Sequence, residues 1–357
     1  MKWLRYCLLI VTSLGMSACT SIEYYWQAIN GHTAIMSREQ PINEVLANPE
    51  LNADLRHILQ EMQQARDFAS QELSLPDNDS YRVFADIERD YVIWNVIATD
   101  EFSVMPQQWC FPFAGCVSYR GFFSQADANA FAAQLRAQGK DVYVAGARAY
   151  STLGWFDDPL LNTMLYRDEA MRVGVLFHEL AHQQLYVQND TAFNEAFATA
   201  VAQEGVRRWF LHNENATAYE AYLQSSQRRV EFNTLLQQTR HALKQVYSET
   251  DDADELRKRK KQIFIELQQK YTSLKHQQWN NDKRYDNWMA QPLNNAHLAL
   301  IATYHDLVPA FQRQLENVQS DLPDFYNKMK ELAELPKTER HERLMSTASK
   351  QRISQVP

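Results

Sequence analysis

With 357 residues, 45 % of them hydrophobic and 22 % charged, the chain is long enough for one large or two ordinary domains and too apolar to be disordered over most of its length. The formal net charge is −8 and no basic stripe breaks it, which argues against a nucleic-acid partner.

The first eighteen residues join Lys2 and Arg5 to an apolar stretch, Cys7 to Leu14, and to small residues before Cys19. This reads as an export signal, too short to span a bilayer and to be set apart from the fold. Its removal takes the charge to about −10. Met16-Ser17-Ala18-Cys19 resembles a bacterial lipobox, in which cleavage precedes a cysteine that is then acylated, with Met16 standing where Leu is usual. Thr20 follows where Asp would signal retention in the inner membrane, so the resemblance implies a lipid anchor in the outer membrane and a protein facing the periplasm.

Residues 19–79 are expected to hold the anchor and a helical segment, with helical spacing from Ile42 to Glu72 ended by Ser74 to Asp79. Tyr81–Ala85 and Tyr91–Ala98 are rich in β-branched and aromatic residues across a charged turn and read as paired strands. Without Cys7, and with Cys19 acylated, only Cys110 and Cys116 remain; in an oxidising compartment they can close a small disulfide loop, the alternative being two buried thiols. A zinc knuckle would need two more soft ligands nearby, and the sequence has none.

Ser124 to Gln138 reads as an Ala-rich helix stopped by Gly139, and Asp141 to Ala147 as a strand of alternating character. Asp168 to Val187 opens with acidic residues and carries the apolar stripe Met171, Val175, Leu176 and Leu180, which predicts a helix. Asp190-Thr191 caps a second helix running to about Phe210. These elements make residues 80–215 the core. Residues 216–288 read as a polar, protruding helical hairpin broken at Thr250-Asp251-Asp252, a surface for a protein partner. Residues 289–336 return to the core through His297 to Phe311, and 337–357 have little to bury and read as a mobile tail. The fold class expected is α+β, mainly α.

Chemistry concentrates in the first of the two core helices, at His178-Glu179-Leu180-Ala181-His182. Histidines four apart leave one face of a helix a turn apart and can chelate one zinc ion. Glu179 lies about 100° further round, beside the metal rather than aimed at it, where it can polarise a water. Leu180, Ala181 and the preceding residues are apolar, so the polar groups sit on a core-facing helix and would cost several kcal/mol if left unpaired. A third ligand is required, and Glu195 on the next helix supplies it from a small-residue face of Ala192, Ala198, Thr199 and Ala202. Glu204 has Arg207 and Arg208 for an ordinary surface ion pair, and His212 lies past the expected end of its helix.

His-Glu-x-x-His followed on the next helix by Asn194-Glu195 resembles the gluzincin metallopeptidases, although thirteen residues from His182 to Glu195 make a shorter linker than in the best-known of them. The closer resemblance is to the family of predicted bacterial zinc aminopeptidases, which are lipoproteins. It runs almost throughout Leu176 to Trp209 and is also carried by Trp109 to Gly121, Tyr150 to Leu165 and Asn294 to Phe311. It covers roughly residues 20–330 and implies a zincin-like core with a small sheet and two metal-bearing helices. It further implies His178, His182 and Glu195 as ligands of one zinc ion, Glu179 as general base, and Asn194 as a support of the site or a substrate contact.

On that reading the chain is an aminopeptidase acting on a peptide held along the edge strand ending near Ala147. Tyr150, Tyr304 and His305 are candidates to stabilise the oxyanion, and Asp157 or Asp158 to receive the substrate's ammonium. The alternatives are a zinc endopeptidase or processing protease of the envelope, and a non-catalytic lipoprotein scaffold tied by a structural metal. Glu179 argues against the scaffold, since a purely structural site needs no acid beside an open position.

Overall fold

The computed structural model describes residues 24, 26–111, 115–166, 168–299 and 307–346. The export signal, Cys19, Tyr304 and His305 lie outside them. The fold is α+β and mainly α. None of the described helices is long and apolar enough to cross a membrane.

Residues 26–36 form helix α1. A short strand β1 (Glu39–Pro41) and helices α2 (Ile42–Ala47) and α3 (Ala53–Gln71) follow, α3 starting where the Asn52 side chain accepts from the amides of Asp54 and Leu55. The break after α3 is wound round a buried cation: Arg66, 1 % exposed, donates to the carbonyls of Pro76, Asn78 and Ser80. Strand β2 (Val83–Ala85) pairs antiparallel with β1, while β3 (Ile93–Thr99) belongs to another sheet. The expected pairing of 81–85 with 91–98 is therefore corrected. Four residues after Ala85, the backbone of Arg89 is engaged by Asn162, and the chain enters β3 without reversing onto β2.

The second sheet has β3 at its centre, between β6 (Arg120–Phe122) and β7 (Asp141–Ala147), both antiparallel to it. Strand alternation divides its faces. Val96 and Ala98 pack on Ala128, Ala132 and Leu135 of α4 (Gln125–Ala137), whereas Ile97 packs on Ala296 and Ala299. The strands β4 (Trp109–Phe111) and β5 (Gly115–Val117) form a hairpin closed by the Cys110–Cys116 disulfide. Strand β8 (Leu160–Leu161) runs parallel to β2.

Helices α5 (Glu169–Gln184) and α6 (Thr191–His212) are capped by Asp168 and Asp190 and pack closely through a glycine on each. A methyl group at Gly205 would meet the Phe177 ring at 2.6 Å. Glu204 on α6 is 8 % exposed and bonded to the partly exposed Arg207 and Arg208, so the carboxylate is buried while the arginines reach outward, Arg208 also donating to the carbonyl of Glu72 at the α3 terminus.

The hairpin α7 (Ala216–Val246) and α8 (Ala253–Gln278) has its own core around Phe232, Leu236, Tyr271 and Trp279. It does not stand free. Arg257 grips Glu101 with two bonds of 2.8 and 3.0 Å, and Lys260 reaches Asp141, so α8 is docked at the end of the second sheet. Short helices α9 (Asp286–Met289) and α10 (295–299) lead back toward the core, where α11 (Val308–Asn317) and α12 (Leu322–Ala333) bury Phe311, Phe325 and Tyr326. Residues 337–346, expected in a mobile tail, instead form α13 (Lys337–Ser346). The reason is polar: Arg340 and His341 both bond the buried carboxylate of Asp190 at the start of α6.

Helix α3 is clamped to α5 by a buried two-pronged pair, Arg172 to Glu61, at 2.8 and 2.7 Å with side chains only 6 % and 10 % exposed. Removing one partner leaves an uncompensated buried charge. Glu61→Gln and Arg172→Met are each expected to cost about 3–5 kcal/mol in denaturant unfolding, and the double variant to cost less than their sum.

Candidate metal centre and its cleft

Because His178 and His182 are one turn apart on α5, both imidazoles leave the face of the helix that meets α6. Their Nε2 atoms are 3.1 Å apart. Glu195, one turn into α6, brings Oε2 to 3.3 Å from the first and Oε1 to 3.8 Å from the second. A small divalent cation such as zinc, tetrahedral with bonds of about 2.0–2.1 Å, has ligand–ligand edges of about 3.3 Å. The three separations bracket that edge, and two facing imidazole nitrogens can share only one proton. These three residues could hold a metal ion. The donor set therefore fits one.

Glu179 is 8 % exposed, and burial pushes its carboxyl up to about 7, with His178 opposing and Glu195 and Asp158 assisting. Burial acts on Glu195 in the same sense, but the adjacent His182 and His178 outweigh it and hold its carboxyl well below the usual range. Two carboxyl groups within one helix pair are thereby set apart, one ready to exchange a proton near neutrality and one held ionised.

The three ligand residues and Glu179 line a cleft of about 730 Å³. One wall is the β3–β7 sheet, through Ile93, Asn95 and the chain from Gly146 to Ser151. The expected edge strand is thus in place, since β7 ends the sheet order β6-β3-β7. The disulfide hairpin contributes Phe111 and Val117, and it is tied to the loop between α5 and α6 by the Cys116 amide donating to Asn189 at 2.7 Å. A further wall comes from Tyr24 and from Gln27 of α1, whose amide bridges Gly121 and Phe123.

Tyr150 lines this cleft with its hydroxyl 2.7 Å from Nδ1 of His32. Burial raises its pKa, so it keeps its proton and can donate. Asn194 spends its amide on Val187, donating to the carbonyl and accepting from the amide at 2.8 Å each. It shapes the turn before α6, a supporting role, while lining the cleft. Asp158 is 1 % exposed and accepts from Ser151 and Thr152. Asp157 is exposed, and neither aspartate lines the cleft. The expectation that one of them receives an ammonium is corrected: the loop consumes one and turns the other to solvent. His212 ends α6 beside Phe68, on another side of the molecule.

Sequence reasoning missed Tyr119 and Tyr186, both lining the cleft near Glu195. Tyr186 lies just past the end of α5, beyond the extended Leu185, so helical spacing from His182 does not place it. Tyr119 is placed by the disulfide hairpin and carried no periodic signal.

On this geometry the full chain is expected to bind about one divalent ion, measured by mass spectrometry under native conditions. Glu195→Ala should lose it or weaken it at least about tenfold, while Glu204→Ala, on the same helix but outside the cleft, should keep it.

The model of the family described as "Putative aminopeptidase" matches residues 23–344, and the chain belongs to that family. No curated protein and no solved structure matches.

Proposed function

We propose that this member of the family is a zinc-dependent aminopeptidase, held by a lipid on Cys19 in the bacterial outer membrane and facing the periplasm. The observation that carries the reading is the convergence of His178, His182 and Glu195 with Glu179 buried beside them. Two imidazoles and one carboxylate leave a bound zinc ion positively charged, the condition for polarising a carbonyl and lowering the pKa of water.

The chain's own groups supply the rest. Glu179, with its carboxyl near neutrality, takes the proton of the attacking water and delivers it to the leaving amine. Tyr150 donates its phenolic hydrogen to the carbonyl oxygen as charge develops there, its hydroxyl oriented by His32. The end of the edge strand β7 at Gly146 and Ala147 aligns the peptide backbone, and the Cys110–Cys116 hairpin and α1 wall the cleft. The wall built by α1 favours a site that takes a chain end over one that takes the middle of a chain.

Glu179→Gln keeps the shape and metal ligands but cannot accept the proton. It is expected to retain metal and lose turnover by on the order of 10²–10⁴-fold, measured on fluorogenic peptides. Retained turnover would sink the mechanism. The same peptides with blocked N-termini should not be cleaved; cleavage of blocked peptides would move the chain to the endopeptidases.

A further inference from the structure

Apart from the ligands and Glu179, the cleft is built of aromatic, small and neutral polar side chains, with one exception. Arg148 is, among the described residues lining it, the one lysine or arginine. It stands at the end of the edge strand β7, one residue past Ala147 and two before Tyr150.

Its setting is built. The guanidinium carbon lies 5.1 Å from the ring centroid of Tyr91 and 5.2 Å from that of Tyr166. Tyr91 can sit there because residue 146 is glycine: a Cβ at Gly146 would meet the Tyr91 ring at 2.4 Å. Tyr166 is held from the other side, its carbonyl accepting from Arg172 at 2.6 Å. Two rings thus fix the guanidinium. Arg148 is half-buried, and among the described residues its guanidinium donates to no acceptor and meets no carboxylate within ion-pair distance. The fully buried Arg66 and Arg172, by comparison, spend their guanidinium groups on carbonyls and on Glu61. A planar, half-desolvated cation held by aromatic faces is the arrangement that accepts a carboxylate through two parallel hydrogen bonds.

We propose that Arg148 binds a carboxylate of the substrate, making this cleft selective for peptides that bring a negative charge to the end of β7. The assignment rests on the peptidase reading of the same cleft. Two parts of a peptide could supply the carboxylate: the C-terminus of a short peptide, or an acidic side chain near its N-terminus. Both would meet the same guanidinium.

The test is equilibrium binding, by calorimetry, of uncleavable reduced-amide tripeptides to the full chain. One ends in a free carboxylate, one is its C-terminal amide, and one has an acidic first residue with an amidated end. Wild type should bind one of the two carboxylate peptides at least about tenfold more tightly than the neutral amide, and the preferred one identifies the source. Arg148→Met, which preserves the packing between the two tyrosines, should bring all three to the affinity of the neutral amide. Arg148→Lys should retain only part of the preference, because the point charge keeps the attraction and loses the fork. Equal affinities in wild type, or an undiminished preference in Arg148→Met, would overturn the role of Arg148 while leaving the peptidase reading standing. Failure of all three peptides to bind would overturn both.

Discussion

Two imidazoles and two carboxyl groups, all substantially buried, converge where α5 crosses α6, and the rest of the fold is arranged so that this is tolerable. Burying a polar group without a partner costs several kcal/mol, and burying an ionised one costs more. The histidines and Glu195 meet the cost through one another, and the geometry that does so is the geometry of a cation site. Glu179 meets it by giving up much of its acidity. Hydrophobic packing alone would not choose this arrangement. It needs the two helices at one distance and in one rotation, and that requirement propagates outward.

The distance is set chiefly by Gly205, where a Cβ would run into the Phe177 ring, while Gly174 faces Val206 closely enough that a Cβ would be a tight fit. The rotation is set at the ends. Asp190 fastens the start of α6 to Arg340 and His341 of the last helix, and Asn194 locks the turn before it onto Val187. Arg172 fixes α5 to α3 through Glu61, and Gln183 joins its far end to Asn78 and Ser80. Polar groups that a sequence reader would assign to substrate, Asn194 and Asp158 among them, are occupied in holding loops. Tyr150 and Arg148, by contrast, line the cleft, one bonded to His32 and the other held against the rings of Tyr91 and Tyr166.

The helices α4, α5 and α6, the strand β7 and the clustering of His178, His182 and Glu195 were legible in the sequence because each is a local pattern. A capping residue, an apolar stripe or a pair of histidines four apart needs no knowledge of the distant chain. The strand pairing of 81–98 was misread because adjacency in sequence is a weak guide when a loop is held by a remote side chain, here Asn162 on the Arg89 carbonyl. Residues 337–346 were misread for the opposite reason. Their helix buries Leu344 in the core and is anchored by Arg340 and His341 on a buried aspartate, and composition does not report on such a partner. The cleft tyrosines other than Tyr150 stayed invisible because a tyrosine at a wall and a tyrosine in a core look alike until the chain is folded.

Under the proposed acylation of Cys19, the start of the described chain would also decide where the chemistry takes place. Tyr24, at its start, forms part of the cleft wall, and only five residues separate it in register from Cys19. A chain of that length reaches at most about 18 Å when fully extended. With Cys19 acylated, the cleft cannot leave a layer at the bilayer surface that is thinner than the protein itself. Catalysis would then be confined to a plane, and peptides fixed to that same surface would meet the site at an effective concentration that freely diffusing ones could match only in excess.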